Sequence, residues 1–82
     1  MRLPRDLSGR ELIRLLKRYG YESTRQVGSH IRLQSNFRGY AHLITIPDHS
    51  SLRVGTLNSI ISDVADYLGI ERAKLAEQLF ER

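Results

Sequence analysis

The chain has 82 residues, a net charge of +4 and no cysteine, which suits one small domain and excludes disulfides and thiolate chemistry. Hydrophobic residues make up 40% and charged residues 27%, an ordinary globular composition, and no apolar run approaches the roughly 18–20 residues of a membrane span. Residues 1–40 carry nine Lys/Arg against three Asp/Glu, whereas residues 41–82 carry four against six, so the front half is the part suited to a polyanion.

The segment from Met1 to Asp6 is polar and leads straight into a helix signal, so no signal peptide is expected and a reducing cytoplasm is the expected location. Ser8-Gly9-Arg10-Glu11 reads as a capping box: the Ser8 hydroxyl accepts from the Glu11 amide, and the Glu11 carboxylate accepts from the Ser8 amide. Leu12, Leu15, Leu16 and Tyr19 follow at helical spacing, with Ile13 at the edge, up to Gly20. Arg10, Arg14, Lys17 and Arg18 fall on the opposite face. They form a basic stripe that is either a solvated surface or a nucleic-acid contact.

Tyr21 to Gln26 reads as a strand, Val27-Gly28-Ser29 as a tight connection, and His30 to Gln34 as a second strand. Alternation puts Ile31 and Leu33 on one face and His30, Arg32 and Gln34 on the other. Ser35 to Gly39 is a longer turn, and Tyr40 to Ile46 a third strand ended by Pro47. Gly55-Thr56 opens a second helix with an apolar stripe of Leu57, Ile60, Ile61, Val64, Ala65 and Leu68, stopped at Gly69. Ile70 to Arg82 can form a third, with Leu75, Ala76, Leu79 and Phe80 apolar. The order α-β-β-β-α-α predicts an α+β domain in which helices cover one face of an antiparallel sheet and leave the other available.

Three histidines, His30, His42 and His49, are the candidate chemical groups. None pairs at a metal-binding spacing and no cysteine completes a site, so neither metal nor cofactor is expected. There is no P-loop, no nucleophile elbow and no clear carboxylate pair. What remains is a histidine on a basic surface. Metal-free RNA cleavage needs a base for the 2′-hydroxyl proton, an acid for the leaving 5′-oxygen and cations for the phosphorane-like charge. His30 can serve as acid or base, Arg25 and Arg32 can hold the phosphate, and the Gly28 and Ser29 amides with the Ser29 hydroxyl can donate to it. A turn histidine with no reaction attached fits these residues as well.

Several motifs together resemble a known family. Ser8-Gly9-Arg10-Glu11-Leu12-Ile13 with Leu16 and Gly20-Tyr21, Arg25-Gln26-x-Gly28-Ser29-His30, Pro47-x-His49, and Leu52-x-x-Gly55-Thr56-Leu57-x-x-Ile60 resemble the HicA (YcfA-like) mRNA interferase toxins over about residues 7–68. The resemblance implies a double-stranded-RNA-binding-domain-like fold, α-β-β-β-α, with a three-stranded antiparallel sheet. It also implies degradation of mRNA and neutralisation by a HicB-like antitoxin. The family's catalytic histidine falls on His30. His49 matches the family's Pro-x-His and is either a loop-ordering residue or an RNA contact. His42, mid-strand, carries little functional weight.

The chain departs from the family in its C-terminal extension and in the turn from Ser35 to Gly39, which is longer and lacks the family's usual Asp-Gly pattern. A helical extension over 70–82 follows the core of about 7–68 within a single domain of 1–82; it can cap the core, form a homo-oligomer or bind a partner. The last core helix offers Asn58, Ser59, Asp63 and Asp66 where duplex-RNA-binding domains carry lysines. The expected substrate is therefore single-stranded mRNA, held by Arg25, Gly28, Ser29, Arg32, Lys17 and His49 around His30. The alternatives are a non-catalytic RNA-binding module and a protein-interaction domain.

Overall fold

The computed structural model describes residues 2–81. Helix α1 spans Gly9–Leu16 and tightens into a 3-10 turn at Lys17–Tyr19. Strands β1 (Glu22–Val27), β2 (His30–Ser35) and β3 (His42–Pro47) follow, then helices α2 (Val54–Leu68) and α3 (Arg72–Phe80). The strands form one antiparallel sheet in the order β1-β2-β3, the expected α+β meander with an added C-terminal helix.

The predicted capping box is present, with the Glu11 amide donating to Ser8 Oγ and the Ser8 amide to Glu11 Oε1, both at 3.0 Å. The third strand is shorter than Tyr40–Ile46. Tyr40 stays in the turn because its carbonyl accepts from the Tyr67 hydroxyl (2.6 Å) and its ring packs edge-on against Tyr67. The second helix starts at Val54 after Arg53, with no side-chain cap, so Thr56 lies inside the first turn.

One core lies between the helices and the inner face of the sheet. α1 contributes Leu12 and Leu16, β2 Ile31 and Leu33, β3 Ile44 and Ile46, and α2 its whole apolar stripe. Each fully buried aliphatic side chain adds about 1.5–3 kcal/mol. The C-terminal segment is integral to this core. Leu75 and Leu79 of α3 are buried in it, and Arg18 donates to the Gln78 carbonyl (2.6 Å). The apolar face of α3 is therefore turned inward.

Among the described residues, no helix covers the opposite face of the sheet. His30, Arg32, Leu43 and Thr45 are exposed there, and all six residues of edge strand β1 are exposed.

Candidate functional site

The site begins at the β1–β2 hairpin. Val27 pairs with His30, leaving Gly28-Ser29 as a two-residue loop. Gly28 has φ +58, the first central position of a type II′ turn, where glycine is favoured. A Cβ there would meet nothing, so the requirement is backbone conformation and not space. This turn sets His30 at the first position of β2, on the helix-free face.

A bulge next sets the cations. The β1–β2 register shifts between Ser23 and Arg25, with Thr24 as the extra residue, and Arg25 stands directly opposite Arg32. Bulges re-aim side chains beside functional sites. Like charges directly opposite on adjacent strands repel. Yet among the described residues neither guanidinium has an ion pair or a side-chain hydrogen bond, and the His30 ring has none either. With Val27 and Thr45 these three line an open concavity of about 470 Å³.

The turn is braced from behind by Asp48, which follows β3. Arg10 of α1 binds it in a fork, Nε to Oδ1 at 3.1 Å and Nη2 to Oδ2 at 2.9 Å. Gln26 Nε2 donates to Asp48 Oδ2 (3.3 Å) and to the Gly28 carbonyl (3.0 Å), and the Asp48 amide donates to the Ser29 carbonyl (2.6 Å). The hydrogen bond from Arg10 is the main reason that the Asp48 carboxyl lies below its ordinary range. The Gly9 amide donates to the His49 carbonyl (2.9 Å), and a Cβ on Gly9 would overlap the Pro47 carbonyl oxygen. Gly9 is thus needed for close approach of α1 to the end of β3, a role the capping-box pattern does not disclose.

The structure brings His30, Arg25 and Arg32 together beside the Gly28-Ser29 turn. Lys17 lies elsewhere, in a groove of about 510 Å³ between α1 and β1 that it lines with Arg14 and, again, Arg25. His49 is exposed, and its backbone carbonyl anchors the start of α1. Arg10 and Arg18, half of the basic stripe, are engaged by Asp48 and by Gln78.

His42 has a role that its position in sequence conceals. With Nε2 protonated, it donates to Asp63 Oδ1 (3.2 Å) and accepts at Nδ1 from the Tyr21 hydroxyl (2.6 Å). Its ring stacks on Tyr67, 4.6 Å between centroids at 9°. Burial, then Tyr67 and Asp63, push the Tyr21 phenol up, so it remains a neutral donor. His42 lies 21 residues from Tyr21 and 21 from Asp63, with no local pattern to betray them. Together they join the start of β1, β3 and α2.

A family model described as "HicA toxin of bacterial toxin-antitoxin" matches residues 9–65. No curated protein and no solved structure matches the chain. The matched stretch runs from the first residue of α1 into α2 and includes the hairpin turn, the bulge and Asp48.

Proposed function

The chain belongs to the HicA family of bacterial toxin–antitoxin toxins, and from that premise we propose that it is a metal-independent endoribonuclease with His30 as general acid/base. The observation that carries this reading is the placement of unpaired Arg25 opposite unpaired Arg32 beside His30 on the open sheet face. Two guanidiniums held together without an acid form a site for a phosphodiester, whose charge offsets their repulsion.

In the proposed reaction, His30 takes the proton of the ribose 2′-hydroxyl as the 2′-oxygen attacks the adjacent phosphorus. The bond from phosphorus to the 5′-oxygen breaks, that oxygen takes a proton from water, and the hydroxide left behind takes the proton from His30, which restores the neutral imidazole. The products are a 2′,3′-cyclic phosphate and a free 5′-hydroxyl. Arg25 and Arg32 stabilise the added negative charge of the transition state, and the Gly28 and Ser29 amides and the Ser29 hydroxyl donate to phosphate oxygens. Among the described residues, no carboxylate, lysine or second histidine lines the concavity with His30, which supports assigning the side-chain proton transfer to this one group. The substrate is single-stranded mRNA. A HicB-like antitoxin inhibits by covering His30 or by setting acidic groups against Arg25 and Arg32.

Incubation of the purified protein with mRNA in EDTA tests this. Wild type should cleave and leave cyclic phosphate ends, and His30→Ala should not. Cleavage that persists in His30→Ala would remove His30 from the chemistry. Salt-sensitive binding without any cleavage would make the protein an RNA-binding module.

A further inference from the structure

We propose that the groove between α1 and β1 is a second anion subsite, holding backbone phosphates of single-stranded RNA beyond the one at His30. It rests on RNA being the ligand of the His30 face. The groove lies on the helix side of edge strand β1. Arg10, Arg14 and Lys17 stand on one wall, and Arg25 with Ser23 and Thr24 on the other. Among the described residues, no acidic residue lines it.

The fold has already sorted the basic stripe of α1. Arg10 is held by Asp48 and Arg18 reaches the Gln78 carbonyl. Arg14 and Lys17 have neither a side-chain hydrogen bond nor an ion pair among the described residues. Arg14 acts on Glu11 only weakly and through space, since the Glu11 carboxylate is lowered chiefly by the Ser8 amide and hydroxyl. Arg14 and Lys17 sit three residues apart on one helix face, a rise of about 4.5 Å. Two exposed cations therefore face the groove in a row.

Arg25 links the two sites, because it lines both this groove and the concavity at His30. β1 is an edge strand, exposed along its whole length, with the bulge at Thr24. A flexible strand can pass round that edge and keep Arg25 as a common contact. A duplex, stiff over about 150 base pairs for DNA, cannot fold round one strand edge. The floor is Ile13 and Ile31, both almost fully buried, which gives an apolar partner side chain little to grip. The chemistry favours phosphates over an acidic protein segment.

The test uses uncleavable 2′-O-methyl RNA of about two and about eight nucleotides, bound to the full chain. Arg14→Gln with Lys17→Gln should weaken the longer oligonucleotide about tenfold and leave the dinucleotide unchanged. It should also lower the slope of log affinity against log salt by about 1.4, at about 0.7 per phosphate. Arg53→Gln with Lys74→Gln removes the same charge at exposed positions away from the groove and should change both affinities less than about twofold. Melting temperatures verify that each variant is folded.

Equal weakening by the two pairs, or no dependence on length, would overturn the subsite. Displacement of the longer oligonucleotide by a glutamate peptide of equal charge and concentration would also overturn it, reassigning the groove to a protein partner. Because this RNA cannot be cleaved, the two readings fail separately. A nuclease whose binding ignores Arg14 and Lys17 loses only the subsite, and groove-dependent binding without mRNA cleavage loses only the nuclease.

Discussion

Two histidines of this small sheet show what a fold does with one side-chain type. His42 has both ring nitrogens partnered, by Tyr21 and Asp63, and its face covered by Tyr67. His30 has no side-chain partner among the described residues and stands exposed beside the facing pair Arg25 and Arg32. These cations repel each other, and among the described residues no acid pairs with them. A satisfied polar network stabilises a fold, whereas an unsatisfied basic cluster on an open face is available to a ligand. The contrast gives His42 a part in cohesion and leaves His30 free for the reaction proposed above.

The largest expected effect separates these roles. His30→Ala should lower RNA cleavage by at least about 10²-fold, the lower end of what general acid–base catalysis contributes. As a surface substitution it should leave stability within about 0.5 kcal/mol. His42→Ala should do the reverse. It leaves the fully buried Tyr21 hydroxyl without its partner, at a cost of about 1–3 kcal/mol. The melting temperature should drop by at least about 5 °C, while the cleavage rate per folded molecule is retained. Equal loss of activity in the two variants at full folding would break the comparison.

Gly9→Ala sharpens it from a third position. The added methyl must displace the Pro47 carbonyl, an overpacking cost of about 1–3 kcal/mol. It also shifts the segment whose Asp48 braces the His30 turn. Melting and cleavage should therefore both fall, more than in an Ala substitution at Gly55, where a Cβ meets nothing.

The smallest effect is a pH dependence. The Asp48 carboxyl is lowered in the folded state by Arg10, so its contribution is present above the unfolded aspartate value, about 3.9, and is lost as pH falls through the lower folded value. Melting temperature should decline more steeply with acid in wild type than in Asp48→Asn, measured from about pH 6 to pH 2. Identical slopes would show that the brace adds nothing to stability.

Much of this was legible from local pattern. The capping box, the helical stripes, the Gly-Ser turn and the placement of His30 and Arg32 on one face follow from i to i+4 spacing and from strand alternation, which act within a few residues. The pairing of Arg25 with Arg32 was less legible, because one extra residue at Thr24 alters which side chains share a face, and alternation cannot announce a bulge. The Tyr21–His42–Asp63 chain and the Asp48 brace were not legible, since their members meet only when distant elements pack.

The order of elements, the helix-free sheet face and the hairpin that presents His30 were thus written in the chain itself, because each depends on backbone preference and hydrophobic period over short spans. Which cations stay free was settled by packing. Arg10 and Arg18 look the same as Arg14 and Lys17 along the helix, and only the approach of Asp48 and of Gln78 gives the first pair partners within the fold. The free energy of those contacts comes from elements brought together across the core, and no local rule in the sequence carries it.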